Sequence, residues 1–276
     1  MPSVKAAVLR GRRSLAIEQT VVRVPAADEV RVRVTAAGLC GTDYRIWTGD
    51  RPVAYPRVMG HEFVGRIAAV GARVDTLAPD DRVVEEPNFS CGTCPLCREG
   101  NRNLCLSRTA IGIDVGGGFA EEACVPARCC WRIPSGVSDL DAMLTEPLAV
   151  VVRAVDRGVP RAGETAAVIG AGNLGLLALQ VLRARGARVL VVARTPARLP
   201  LARTLGADAV HAAAEGPLDA AARSFSGREG VALVVETAGT PEAVTYALDL
   251  VRPGGRVVLT TSARADAGRV LLRRAT

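Results

Sequence analysis

The chain has 276 residues, of which 49% are hydrophobic, and this is enough apolar material for two domains with cores. Its formal net charge is +7, but only Lys5 among the 35 basic residues is a lysine, and the arginines are scattered. With 3% aromatic residues and no apolar run of membrane-spanning length, the chain is expected to be soluble and to have neither a nucleic-acid nor a membrane partner.

The first 150 residues or so are predicted to form mostly β-structure with long loops. Val30, Val32 and Val34 alternate with arginines, and this period of two is typical of a half-buried strand. Residues 63–70 and 82–84 are predicted as further strands, because Gly, Pro and Asp residues bound them.

Metal-ligand residue types occur twice in this β-rich part. Cys40 lies in the run 38–43 after the first predicted strand, and His61 and Glu62 follow about twenty residues later. One sulfur, one nitrogen and one oxygen with an open fourth position suit a catalytic zinc ion. Taken singly, a lone Cys is more often a core residue, and a His beside a Glu is more often a surface pair.

A second set has the spacing C-x2-C-x2-C-x7-C in a stretch without apolar periodicity, which predicts a loop. Four thiols in such a loop can surround one tetrahedral zinc at about 2.3 Å per sulfur. The alternatives are unrelated thiols or two disulfides. No secretory signal opens the chain, so a reducing, cytoplasmic compartment is expected, which disfavours disulfides. The predicted structural zinc ligands are Cys91, Cys94, Cys97 and Cys105.

A helix is predicted from about Glu146 to Gly158, where Val159-Pro160 ends it. The domain boundary is placed at this helix. Residues 1–155 are predicted to form the zinc-carrying domain, and residues 156–276 a dinucleotide-binding domain.

From Thr165 onward strands and helices alternate, which predicts a doubly wound parallel sheet. Helices are expected to start near Asn173, Pro196, Pro217 and Pro241, since proline suits a first turn. The predicted strands are 165–169, 188–192, 209–211, 231–236 and 256–260.

The first of these strands leads into a G-x-G-x-x-G motif made by Gly170, Gly172 and Gly175. A strand before this motif and a helix after it are typical of a dinucleotide-binding turn, in which a pyrophosphate binds at the helix N-terminus. Asn173 and Leu174 lie within the motif and belong to the predicted cofactor site, as does Thr237 after the strand 231–236.

The second strand of this fold normally ends near an acidic residue that binds the ribose hydroxyls of NAD. Here that position is Ala193, followed by Arg194. The absent carboxylate and the Arg194 guanidinium favour a 2′-phosphate, with Arg198 as a second cation, so NADP is predicted rather than NAD. Alternatively, Arg194 points to solvent and either cofactor binds.

Together the G-H-E triplet, the four-cysteine loop and the G-x-G-x-x-G motif resemble the zinc-dependent medium-chain dehydrogenases, the family of alcohol, sorbitol and threonine dehydrogenases. The resemblance covers the chain from Val4 to about Thr261. It implies an α/β protein with a GroES-like β-rich catalytic domain before a Rossmann sheet. It also implies hydride transfer between a secondary alcohol or polyol and NAD(P), two zinc ions per chain, and an assembly that is usually homo-oligomeric.

The resemblance also implies residue roles. Cys40 and His61 would bind the catalytic zinc, Glu62 would be a ligand or exchange with water, and Glu146 would be the further ligand. Thr42 would pass on the substrate proton. Because the last ligand position is a glutamate, the chain resembles the polyol and threonine dehydrogenases of the family more than the liver-type alcohol dehydrogenases.

The chain departs from the family pattern at Arg45, where many members carry a histidine five residues after the ligand cysteine. Arginine does not deprotonate usefully, so the proton relay is expected to end in water or elsewhere. The sequence also leaves two other interpretations open. One is a catalytically impaired protein that binds zinc and cofactor. The other is a metal-independent quinone or enoyl reductase, which the two ligand sets argue against.

The end of the chain also departs from the pattern. Family members continue past the strand at 256–260 into a sixth strand and a return to the catalytic domain, whereas residues 262–276 carry no clear strand alternation. An exposed sheet edge is therefore expected, with an altered dimer contact, low stability and weak or absent activity.

Overall fold

The computed structural model describes residues 3–260. It divides into two compact units between Glu146 and Pro147, at the start of the helix Thr145–Arg157. The predicted boundary at residue 155 lies near the end of the same helix. The expectation for the tail concerns residues 261–276, which lie outside the described residues.

The first unit is β-rich, in agreement with the prediction. Its elements are β1 (Ser3–Gly11), β2 (Ser14–Val21), β3 (Glu29–Ala37), α1 (Gly41–Thr48), β4 (Arg57–Val58), β5 (Phe63–Val70), β6 (Arg82–Glu85), β7 (Asn88–Phe89), α2 (Pro95–Arg98), β8 (Thr109–Ala110), β9 (Glu122–Pro126), β10 (Cys130–Arg132) and α3 (Asp139–Met143).

The main sheet of this unit is antiparallel, with the strand order β10-β6-β5-β3-β9. The alternating valines of β3 explain its place at the centre. Val30 and Val32 are almost fully buried against Phe63 and Ile67 of β5. Because the ends of β3 and β5 lie side by side, the segments that carry Cys40 and His61 come together.

The second unit begins in α4 (Thr145–Arg157) and is an alternating α/β structure. Its further elements are β11 (Thr165–Ile169), α5 (Asn173–Ala184), β12 (Arg188–Ala193), α6 (Leu199–Thr204), β13 (Ala209–Ala212), α7 (Leu218–Ser226), β14 (Val231–Glu236), α8 (Pro241–Leu250) and β15 (Val251–Leu259).

The sheet of this unit is parallel and has the order β13-β12-β11-β14-β15, which confirms the predicted doubly wound fold. Its central strands are continuous apolar runs because helices cover both faces. β15 starts at Val251, before the predicted residue 256, since a register irregularity accommodates the Pro253-Gly254-Gly255 segment that resembles a turn in sequence.

None of the helices within residues 3–260 has the length and apolar character needed to cross a membrane.

Candidate active site and cofactor site

The four cysteines of the loop between β7 and β8 converge on one point, with their sulfurs within 4.8 Å of one another. The Sγ atoms of Cys94 and Cys97 are 3.4 Å apart, and those of Cys91 and Cys105 are 3.5 Å apart. Sulfurs at about 2.3 Å from a tetrahedral zinc would be separated by about 3.8 Å. The donor set therefore fits one zinc ion.

The sequence predicts an irregular loop here, but the structure also has the one-turn helix α2 within it. Cys94 lies at the N-terminus of this turn and Cys97 inside it. Backbone N–H groups point at the sulfurs: Cys91 donates to Cys105 Sγ at 3.3 Å, and Cys94 donates to Cys91 Sγ at 3.4 Å. Hydrogen bonds from Thr93 and from the Cys94 backbone lower the pKa of Cys91 to about 6, which favours the thiolate that zinc requires.

Cys40, His61 and Glu62 form the second convergent set, and their donor atoms also lie within 4.8 Å of one another. Cys40 precedes α1, while His61 and Glu62 precede β5. The Gly38 N–H donates to the Glu62 carbonyl at 2.7 Å. A Cβ on Gly38 would lie 2.5 Å from Glu62 Oε2, so the close approach of the two segments depends on this glycine.

Asp43 joins the first two members of this set, and its role was not predicted. Its Oδ2 accepts a hydrogen bond from the Cys40 N–H at 2.9 Å, and its Oδ1 lies 3.4 Å from His61 Nδ1. Burial by itself would lower the pKa of His61, but the neighbouring Asp43 and Cys40 outweigh this effect and raise the pKa to about 10. The carboxylate thus leaves Nε2 as the ring nitrogen for a metal. An acid three residues after a helix-capping position was the available sequence signal.

Two further glutamates lie near this set. Burial and the charge of Glu62 raise the pKa of Glu146, in the first turn of α4, to about 7. Glu146 is not among the three residues whose donor atoms converge within 4.8 Å. Glu85, at the end of β6, is 3% exposed and was not predicted as a site residue. The sequence signal that could have identified Glu85 is an acidic residue at the end of a predicted buried strand.

Thr42 is half-buried in the first turn of α1, two residues after Cys40, and Arg45 is exposed in the last turn of this helix. The proton-relay role of Thr42 remains a prediction.

In the second unit the glycine motif forms the turn between β11 and α5. Gly170 has a φ of +100°, and its N–H donates to the Val192 carbonyl at 2.8 Å. A Cβ on Gly175 would lie 1.8 Å from the Gly170 carbonyl oxygen, so only glycine permits this packing. Gly172 caps α5, which begins with Asn173 and Leu174 and presents its N-terminus at the turn.

A cavity of about 610 Å³ opens beside this turn. Five of the predicted cofactor-binding residues line it, and their role in binding remains a prediction: Gly170, Gly172, Ala193, Arg194 and Arg198. The other four are not among the lining residues: Asn173, Leu174, Gly175 and Thr237. Thr237 lies beneath the turn, where its hydroxyl donates to the Ile169 carbonyl at 2.8 Å and supports the motif.

Glu242, in the first turn of α8, also lines this cavity and was not predicted. Its own backbone N–H and Thr240 lower its pKa, with a smaller effect from Arg194. The cavity therefore holds an acidic side chain within electrostatic reach of Arg194.

Two family models match the chain. The alcohol dehydrogenase GroES-like domain matches residues 26–135, and the zinc-binding dehydrogenase model matches residues 173–272. The chain is 38% identical to L-threonine 3-dehydrogenase of Bacillus velezensis, over 83% of this chain and 67% of that protein. It is 35% identical to sorbitol dehydrogenase of Bacillus subtilis, over 93% of this chain and 74% of that protein.

Solved structures agree with these matches. A protein described as a zinc-binding dehydrogenase of Sinorhizobium meliloti 1021, bound to NADP, superposes with a TM-score of 0.91 at 35% identity, over 95% of this chain and 78% of that chain. The RspB alcohol dehydrogenase of Escherichia coli CFT073, bound to NADH, superposes with a TM-score of 0.86 at 36% identity, over 93% and 76% of the two chains. The chain therefore belongs to the zinc-dependent medium-chain dehydrogenase family and is a nicotinamide-dependent oxidoreductase.

Proposed function

We propose that this enzyme oxidises a secondary alcohol or polyol to a ketone with NADP⁺, using two zinc ions per chain, one catalytic and one structural. The observation that carries the proposal is the convergence of Cys40, His61 and Glu62 donor atoms within 4.8 Å in a chain that also has the dinucleotide-binding turn. The similarity to a threonine and a sorbitol dehydrogenase supports a secondary alcohol as the substrate class.

The candidate site residues of the first unit each have a part in the proposed reaction. Cys40 and His61 would hold the catalytic zinc, with Glu62 as an exchangeable ligand and Glu146 as the further one. When bound, the zinc supplies a Lewis acid that makes the substrate hydroxyl more acidic. The Thr42 hydroxyl accepts the substrate proton and donates its own proton toward water. Asp43 keeps the His61 ring oriented throughout.

The four-cysteine loop has a separate part. A closed tetrahedral site has no open position for a substrate, so its zinc would hold the loop in shape without taking part in the chemistry. Cys91, Cys94, Cys97 and Cys105 are the proposed ligands.

The preference for NADP rests on the end of β12. The last residue of β12 is Ala193, so the position that is acidic in NAD enzymes has no carboxylate to repel a 2′-phosphate. The next residue, Arg194, lines the cavity. Arg198 adds a second cation to the same cavity. A guanidinium pairs with a phosphate through charge-assisted hydrogen bonds.

Turnover of the purified chain tests the proposal. Zinc content is measured first, and oxidation is then followed by NADPH or NADH formation with polyols, inositols, L-threonine and 2,3-diols, with primary alcohols for comparison. Two zinc ions per chain and faster turnover of a secondary alcohol with NADP⁺ are expected. His61→Ala should abolish this turnover while the protein stays folded. One zinc or none in the wild type, or unchanged turnover in the variant, would contradict it.

A further inference from the structure

The carboxyl group of Glu85 is buried without a hydrogen bond of ordinary geometry. The residue is 3% exposed, and among the described residues the backbone N–H of Phe63 is near enough to lower the pKa of this carboxyl, although neither Oε1 nor Oε2 accepts a well-aligned hydrogen bond from it. Burying a carboxyl group without a full set of hydrogen bonds is costly, because its hydration is lost without compensation. Native proteins tolerate such a group mainly where it meets a ligand, an ion or water.

Glu85 lies at the end of β6 that is level with the His61-Glu62 segment. It ends β6, which pairs with β5 immediately after the His61-Glu62 segment. Its carboxyl is close enough to His61, Glu62 and Glu146 to interact with their charges. Burial raises the pKa of Glu85 well above the ordinary value, Glu146 and Glu62 raise it further, and His61 and the Phe63 backbone N–H oppose them.

The surrounding charge is strongly unbalanced. Asp43, Glu62, Glu85 and Glu146 bring four carboxyl groups around the single imidazole of His61, and Cys40 adds a thiol. A zinc ion held by Cys40, His61 and Glu62 would place two positive charges beside Glu85.

We propose that Glu85 is a positioning residue of the catalytic metal site: its buried carboxyl group stabilises the bound dication without joining the converging ligand atoms. This inference rests on the proposed catalytic zinc. Removing such an outer-shell group lowers metal affinity by roughly 10- to 100-fold.

The chain offers a closely matched control. Glu86 is the next residue, is exposed, and accepts a hydrogen bond from Trp131 Nε1 at 3.1 Å. Glu85→Gln and Glu86→Gln are therefore the same chemical change, one residue apart, inside and outside the site. The four-cysteine zinc is an internal reference within each molecule, since Glu85 is not among its ligands.

The experiment measures zinc per chain over a series of chelator concentrations. For Glu85→Gln, the catalytic zinc is expected to be lost at a chelator concentration roughly 10- to 100-fold lower than in the wild type. The structural zinc should be lost at the unchanged concentration, and Glu86→Gln should match the wild type. Thermal unfolding of the proteins without catalytic zinc shows whether Glu85→Gln is folded. This variant should be at least as stable as the wild type, because the substitution removes a buried acid that lacks a hydrogen bond of ordinary geometry.

The outcomes separate this inference from the proposed function. A wild type that holds two zinc ions, with an unchanged chelator midpoint in Glu85→Gln, overturns the role of Glu85 alone. An equal loss of affinity in Glu86→Gln also overturns it. A wild type that holds only the four-cysteine zinc overturns the catalytic-zinc assignment and the role of Glu85 together.

Discussion

Asp43 Oδ1 lies 3.4 Å from His61 Nδ1, while the other oxygen of the same carboxylate accepts a hydrogen bond from the Cys40 N–H. One side chain, 1% exposed, thereby contacts both a proposed sulfur ligand and a proposed nitrogen ligand. Its short reach explains why the two segments keep a metal-binding arrangement.

Asp43→Asn is expected to lower the affinity for the catalytic zinc by roughly 10- to 100-fold, because a carboxylate partner raises the basicity of a ligand histidine and fixes its tautomer. Zinc retention against a chelator and kcat/KM with added zinc measure this effect. Asp50→Asn is the control, since Asp50 is exposed just after α1. An Asp43→Asn enzyme that retains zinc like the wild type would show that Asp43 serves only the helix cap.

Cys97→Ser is expected to remove one zinc per chain and to lower the Tm by at least about 5 °C, because a structural site contributes folding energy and each kcal/mol corresponds to roughly 2–4 °C in a protein of this size. Elemental analysis and thermal unfolding provide the measurements. Cys124→Ser is the control, because Cys124 belongs to neither convergent set. An unchanged zinc content in Cys97→Ser would refute the structural site.

Arg194→Ala is expected to raise the KM for NADPH by roughly ten- to a hundredfold, since a hydrogen bond to a charged group contributes about 1.5–3 kcal/mol. The KM for NADH should stay the same. Arg203→Ala is the matched control, because Arg203 is exposed on α6 and is not among the cavity-lining residues. Equal efficiencies of the wild type with the two cofactors would argue against the NADP assignment.

Glu242→Gln should have the opposite effect at the same cavity. Glu242 lines the cofactor cavity and interacts electrostatically with Arg194, the proposed partner of the 2′-phosphate of NADP. Its neutralisation should therefore lower the KM for NADPH and leave that for NADH nearly unchanged. Initial-rate kinetics with both cofactors test this. An equal change for both cofactors would place Glu242 away from the phosphate.

The raised pKa of Glu146 predicts a pH dependence of stability when the catalytic zinc is absent. An ordinary Glu has a pKa of 4.5, whereas burial and Glu62 raise that of Glu146 to about 7 in the folded protein. Its stabilising contribution is therefore fully present below pH 4.5 and is lost as the pH rises through about 7.

The Cys40→Ser protein, which should lack the catalytic zinc, is the appropriate background for this measurement. Its free energy of unfolding in urea is compared at pH 5 and pH 8, with and without Glu146→Gln. The added substitution should make the difference between the two pH values smaller, and Glu86→Gln should not. If Glu146→Gln leaves that difference intact, Glu146 is not the titrating group.

The sequence by itself determined the elements whose signals are local. β11 and β14 have the predicted bounds, because strands buried on both faces are short continuous apolar runs between turns. The glycine motif and the four-cysteine loop were equally local, since each acts through residues within one turn or one loop.

Only the tertiary structure decided which distant side chains meet. Glu85 and Glu146 come near His61 through strand pairing and helix placement, and Asp43 reaches it across the ends of β3 and β5. Glu242 enters the cofactor cavity from a helix far along the chain from Arg194. Spacing along a chain fixes local geometry, whereas burial and packing bring remote carboxylates together and thereby set their charge states.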